Sequence, residues 1–342
     1  MSDRKILVHD FPHETTFPPK GYGGIERWLW TIANEACLAG DEVAIAGPLW
    51  DTSTLPDILH IKERISHATK RSILNQFGRA DLIIAGHEFF GKPEWDEPCL
   101  EISDHTASYQ HRPDLYDNIA YDGIRSHLFC FSGEMMKRFE MQKPTKLLHG
   151  SYCYEEEPME NDPEDYVIWF GRVDDEKALH YAHKIPDETG LPLKVMGPVK
   201  REYLDRYRGM LGKGSIEFIG EKFGREKMEI ISRARCAIYT LDPRYIEAGV
   251  LVFAEGLRCG VPFSAMTWKE DDCAAEAIDK DSGKLISVDE SMSIDSISKK
   301  MAEGVMAAIE LDRTQVANYN QERFNAGKLT ASMFNTSLNG KK

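Results

Sequence analysis

The sequence contains no apolar run approaching the roughly 18 residues that a membrane-spanning helix requires, so no segment is expected to cross a bilayer. A secretory leader is missing as well. MSDRKILVHDF passes from a charged stub directly into a short apolar strand, without a long apolar region or a small-residue cleavage site, which makes the cytoplasm the expected compartment. Cysteine is sparse and solitary: Cys37, Cys99, Cys130, Cys153, Cys236, Cys259 and Cys273 form no CxxC pair, which excludes zinc-ribbon and dithiol chemistry. They read as reduced, buried small hydrophobes. Basic charge is in deficit, with 42 Lys and Arg against 56 Asp and Glu, and the formal charge of −14 disfavours general nucleic-acid binding. Low-complexity tracts and short-period repeats are also lacking.

What is present describes a water-soluble globular chain. At 342 residues, with 42% apolar and 29% charged residues, it is long enough for two α/β domains. Short apolar segments at 5–8, 42–46, 82–85, 100–103, 128–131 and 146–148 alternate with helical patterns, the first helix carrying Ile25, Leu29, Ile32, Ala33 and Ala36 and ending near Gly40. The segment SYCYEEEPMENDPED, 151–165, is acidic, proline-containing and without core pattern, and reads as a linker. Strands then recur at 166–170, 193–196, 216–219, 237–239 and 262–265, with helices expected at about 176–189, 201–211 and 250–259.

The expected fold class is therefore α/β, with two Rossmann-like, doubly wound parallel-sheet domains facing a central cleft. The first spans 1–150 and the second 166–325, followed by a helical tail at 326–342. One local basic cluster interrupts the acidic average. Between residues 60 and 79, Lys62, Arg64, Lys70, Arg71 and Arg79 alternate with Ile61, Ile65, Ala68, Ile73 and Phe77 at approximately helical spacing, either a solvated face or a contact for a membrane surface or anionic acceptor.

In open parallel sheets ligands bind beyond the carboxyl ends of the strands, so four strand-to-helix turns carry most weight. In GYGGIE, Gly21, Gly23 and Gly24 directly precede a helix, where backbone can approach a ligand and helix N–H groups can meet an anion, although a plain flexible turn explains the glycines equally well. WFGRVDDEK, 169–177, sets Arg172 and Lys177 just past a buried strand, as a diphosphate clamp or as ordinary surface charges. In YIEAGVLVFAEGLRCGVP, Glu255 stands within an apolar run, where an unpaired carboxylate is costly to bury, so it should hold a partner, and a ribose diol fits. Glu247 precedes the helix, and the amides of Gly249, Val250 and Leu251 would be donors for a phosphate. In SDHT, His105 follows the segment at 100–103, and His87 stands similarly after 82–85; each is a catalytic or a structural histidine. His180 and His183 share a helix without a third ligand, which argues against a metal there.

Taken together, YGGIE, the GR-x4-K pattern of Gly171, Arg172 and Lys177, and E-x7-E from Glu247 to Glu255 before RCGVP resemble glycosyltransferase family 4, retaining enzymes of the GT-B fold. The opening PPKGYGGIERWLWTIANEACLAGDEVAIAG resembles the branch with a Pro-Pro-x-x-Tyr-Gly-Gly-x-Glu start. The family's glycine third after the first Glu stands one place earlier here, at Gly249, with Val250 in its stead.

The resemblance implies transfer of a hexose or pentose from a nucleoside-diphosphate sugar to a hydroxyl of a glycan, lipid-linked or small-molecule acceptor, with retention and without an essential metal or other cofactor. It implies that Arg172 and Lys177 bind the diphosphate, Glu255 the ribose and Glu247 the sugar hydroxyls. Gly23 and Gly24 would line the phosphates, and His105 would stand near the reacting face. Competing expectations are an epimerase or phosphorylase of the same fold, a nicotinamide-dependent oxidoreductase, and a non-catalytic nucleotide- or sugar-binding module. The oxidoreductase needs an acidic residue at the end of the second strand, where this chain has Gly47, Pro48 and Leu49.

Overall fold

A computed structural model describes residues 4–9, 17, 19, 23–46, 57–61, 73–86, 103, 105–109, 125–140, 145–146, 158, 160–247 and 251–339. The chain divides into two compact units, one of residues 1–131, 135–154 and 325–342, the other of residues 132–134 and 155–324. Among the described residues, no helix is long and apolar enough to cross a membrane.

The first unit is built on a seven-stranded, all-parallel sheet. Its strands are β1 (Lys5–His9), β2 (Glu42–Ala46), β3 (Ile58–Ile61), β4 (Leu82–Ala85), β5 (His105–Tyr109), β6 (Arg125–Cys130) and β7 (Thr145–Lys146), in the order β3-β2-β1-β4-β5-β6-β7. Ile6, Leu7, Val8 and all of β4 are buried, as expected of parallel strands covered on both faces. The helix Gly24–Leu38 buries Trp28, Leu29, Ile32, Ala33 and Ala36 and packs on β1, β2 and the last helix of the chain, Ala326–Asn339, so the C-terminal segment belongs to this unit.

Two sequence expectations are corrected here. Ser103 lies in no strand; the strand begins at His105, after a turn in which the Ser103 hydroxyl donates to the His105 carbonyl and accepts from its N–H. The basic stretch at 60–79 is not one helix, because His60 and Ile61 close β3, where burial of Ile58 and Ile61 serves a sheet edge; among the described residues of the stretch a helical turn covers 73–76. Lys62, Arg64, Lys70 and Arg71 lie outside the described residues.

The second unit repeats the plan with six parallel strands: β8 (Val167–Phe170), β9 (Leu193–Met196), β10 (Ile216–Gly220), β11 (Cys236–Tyr239), β12 (Phe263–Thr267) and β13 (Gly283–Ser287), ordered β10-β9-β8-β11-β12-β13. Val167, Trp169, Val195, Ile238 and Met266 pack with Ile297, Met301 and Val305 of the helix Ile294–Ala308 into one core. Strand order reverses direction between β8 and β11, so the turns after these two strands flank the switch point, the favoured ligand position of such sheets.

The helix expected at about 176–189 is broken. A turn of 3-10 helix covers Leu179–Ala182, and an α-helix starts only at Ile185, where Pro186 lacks an N–H and suits a first turn. Ala178, at φ 48°, is left-handed and closes the preceding loop. At the carboxyl ends of β8 and β9 the backbones come so close that a Cβ at Gly197, whose φ is 139°, would collide with the Gly171 carbonyl.

Candidate functional site

The loop after β8, residues 171–178, is tied down from three sides. Thr240, just past β11, accepts from the Trp169 indole N–H at 2.9 Å and donates to the Lys177 carbonyl at 2.7 Å. The Asp242 amide donates to the Glu176 carbonyl at 2.9 Å, and Asp174, almost fully buried, accepts from the Lys177 amide at 3.1 Å. A parallel bridge between Val173 and Val199 joins the loop to the segment after β9. These bonds hold Arg172 and Lys177 on the turn after β8, one of the two that flank the switch point.

Both cations face acids. Arg172 pairs with Asp174 at 3.0 Å and with Glu176, and Lys200 reaches Asp174 at 3.4 Å. Lys177 pairs with Glu247, both side chains largely buried at 15% and 10% exposure, and its ammonium lies 5.1 Å from the centre of the Tyr245 ring. The cluster thus holds Arg172, Lys177 and Lys200 against Asp174, Glu176 and Glu247. Burial, and then the neighbouring Arg172, lower the Lys177 pKa from 10.5 to about 8, with Asp174 and Glu176 opposing. The Tyr245 hydroxyl is pushed up, mainly by burial and next by Glu176, while a hydrogen bond with Arg172 pulls the other way. Such a cation pair, partly desolvated and already positioned, suits a small polyanion that neutralises both.

Glu255 is buried, as its apolar surroundings required, and it has a partner that the sequence did not reveal. Lys227, from the helix Gly224–Ser232, bonds its Oε1 at 2.6 Å, with the two side chains at 12% and 3% exposure. Glu255 itself stands on the helix Leu251–Arg258, packed tightly on the sheet through Gly256, where a Cβ would stand 2.7 Å from the Phe263 ring. Leu251 opens this helix, four residues beyond Glu247. Gly249 and Val250, the other expected amide donors, lie outside the described residues, as does His87.

The remaining expected residues lie in the first unit. Gly23 is the cap of the helix Gly24–Leu38, and Arg27 donates to its carbonyl at 3.0 Å. The carboxylate of Glu26, in the first turn, fills the space that a Cβ on Gly23 would need, so the helix end already has an acidic neighbour. His105 needs correction as a strand-end residue. It opens β5 rather than following a strand, and at ~3.3 Å per residue it stands roughly 13 Å from the carboxyl edge, where parallel sheets bind ligands. Its ring lies 6.5 Å from that of His127, nearly parallel.

His180 and His183 are held by protein groups. His180 bonds the Tyr203 hydroxyl at 2.9 Å and stacks on Tyr207, while His183 bonds the His180 carbonyl and Asp295. Burial lowers the His180 pKa to about 4. Among the described residues, no group of three or more His, Cys, Asp or Glu is placed to hold a metal ion.

Sequence reasoning missed Asp174, Tyr245 and Lys227. Asp174 and Tyr245 stand within the motifs already singled out, and a count of acids around Arg172 and Lys177 would have raised them. Lys227 carries no such signal, since its helix is mostly polar and its partner is 28 residues away.

No protein-family profile matches the chain. No curated protein matches it in sequence. Its fold, however, is similar to several solved structures that have glycosyltransferase folds of two Rossmann-like domains. AviGT4, a glycosyltransferase involved in avilamycin A biosynthesis, is 17% identical with a TM-score of 0.72 over 99% of both chains. HepE of Anabaena, solved with UDP, is 13% identical with a TM-score of 0.65 over 97% of this chain and 99% of its own. A TarM variant of S. aureus, solved with fondaparinux, α-GlcNAc-glycerol and UDP, is 8% identical with a TM-score of 0.63 over 98% and 99%.

Proposed function

We propose that this protein is a glycosyltransferase that takes a sugar from a nucleoside-diphosphate donor held by its second unit and passes it to a hydroxyl acceptor, with retention of configuration. The observation that carries the reading is the buried Lys177–Glu247 pair beside Arg172, on the two turns that flank the switch point of the second sheet. Supporting it are the motif resemblance and the shared fold of AviGT4, HepE and TarM, the latter two solved with UDP.

In this reading negative charge grows on the departing diphosphate as the sugar–phosphate bond lengthens. Arg172 and Lys177 stand ready where that charge appears, so they stabilise the transition state more than the ground state. Arrival of the diphosphate gives Lys177 a stronger anionic partner than Glu247. Glu247 is thereby freed to accept hydrogen bonds from the sugar hydroxyls, while Glu255 accepts from the ribose. The acceptor attacks on the face that the leaving phosphate occupies, and the phosphate oxygen takes its proton, which completes the exchange without a protein nucleophile.

A thermal-shift panel of UDP, GDP, ADP and dTDP tests the donor site, since a ligand at about 100 times its dissociation constant stabilises by about 2.7 kcal/mol. Release of nucleotide from the matching sugar donor then separates an enzyme from a non-catalytic binding module. Failure of all four nucleotides to raise Tm contradicts the proposal.

A further inference from the structure

We infer that Lys227 is a positioning residue for nucleoside recognition: it keeps Glu255 ionised and oriented to accept hydrogen bonds from the ribose hydroxyls of the donor. The inference rests on the transferase reading and adds to it a residue outside every motif of the sequence.

The argument starts from desolvation. A carboxylate at 3% exposure is driven toward its neutral form unless a cation or several donors compensate, and a protonated carboxyl has lost much of its power as an acceptor. Lys227 supplies a charge at 2.6 Å, itself at only 12% exposure, so the pair is shielded from water and little screened by salt. The bond runs to one carboxylate oxygen. A carboxylate offers about four lone-pair sites on two oxygens, so an ammonium on Oε1 is compatible with hydroxyl donors as well.

Geometry gives the pair a fixed direction. Lys227 comes from the helix Gly224–Ser232 after β10, and Glu255 from the helix Leu251–Arg258 after β11. These two helices pack on each other, and Gly256 presses the second against Phe263 and Phe170 of the sheet. A carboxylate anchored from a neighbouring helix loses little further freedom when it binds a diol, which is the benefit of preorganisation. A pair serving only to staple two helices is a poor use of buried charge, because apolar residues of like volume stabilise as well or better.

The test compares UDP, ADP and GDP with their 2′,3′-dideoxy counterparts on wild type and on Lys227→Met, Lys227→Arg and Glu255→Gln, by titration calorimetry. For whichever nucleotide binds, wild type should prefer the ribose form by roughly tenfold to a hundredfold, the discrimination expected of hydrogen bonds to a charged acceptor. Lys227→Met should reduce that ratio to within about threefold of one, as Glu255→Gln does, and Lys227→Arg should restore most of it. The double variant should be no worse than the singles, since the two residues act as one unit.

A Lys227→Met protein whose affinity falls equally for ribose and dideoxy forms, or whose ratio is unchanged, assigns Lys227 a merely structural role and overturns the inference. If Lys227→Met does not fold, Lys227→Gln carries the same comparison. Binding of dTDP but of none of these three ribonucleotides also overturns the inference, whereas failure to bind any of the four nucleotides is a different result and removes the transferase reading itself.

Discussion

The two units share a sheet plan and differ in what stands at the carboxyl ends of their strands. Both run 3-2-1-4 from one edge, and both have glycine near the turn after the central strand, Gly23 in the first and Gly171 in the second. In the first, the helix end beside Gly23 meets the acid Glu26 of its own first turn. In the second, the turn carries Arg172 and Lys177, backed by buried Asp174 and answered by Glu247 across the switch point. In the proposed reading, a glycine turn on a parallel sheet does not by itself supply the charge that a diphosphate needs. The placed charges make the difference, and they stand in the second unit.

Four perturbations separate the halves. The largest effect is expected from Arg172→Ala and Lys177→Ala, each of which should lower kcat roughly tenfold to a thousandfold in a nucleotide-release assay; wild-type kcat in both would remove the cations from the chemistry. Next comes pH. In the proposed reading the ammonium of Lys177 holds the donor, and its pKa, lowered by burial to about 8, predicts an affinity that is level below that pH and weakens about tenfold per unit above it. Lys177→Arg should flatten this profile, and a wild-type profile that is already flat to pH 10 would contradict the assignment.

The same depressed pKa bears on stability, with the opposite sign. Between about 8 and 10.5 the unfolded chain binds more protons at this position than the folded one, so the cost of burying the ammonium is full below pH 8 and is relieved as pH rises. A smaller effect is expected from Gly197→Ala, where a Cβ meets the Gly171 carbonyl. The loss should exceed about 1 kcal/mol in urea unfolding, and an unchanged midpoint would show that the strand ends relax easily. The smallest belongs to the first unit. Glu26→Gln should change donor affinity by less than about threefold, the scale of one half-buried helix-end charge, whereas a tenfold gain would make that helix end an anion site.

Much of this was legible in the residues. Strands such as Leu82–Ala85 and Val167–Phe170 are unbroken apolar runs, as parallel strands covered on both faces usually are, and their alternation with helical patterns located both sheets. Glu255 was legible because a carboxylate among apolar side chains carries an energetic demand for a partner. The identity of that partner was not, since Lys227 reaches it through tertiary packing of two helices. His105 was misplaced because ISDHTASY mixes polar and small residues, so periodicity sets no clear strand start, and a shift of a few residues moved the imidazole from one edge of the sheet to the other. The expected helix at 176–189 failed where Pro186 restarts the backbone, a signal present in the sequence and outweighed by apolar spacing.

Hydrogen–deuterium exchange with and without the nucleoside diphosphate that raises Tm most addresses the central claim directly. Slower exchange is predicted at Gly171 to Ala178 and from Tyr245 through Arg258, with little change around Gly23 and Gly24. Protection confined to the helix Gly24–Leu38 and its preceding turn would contradict the account.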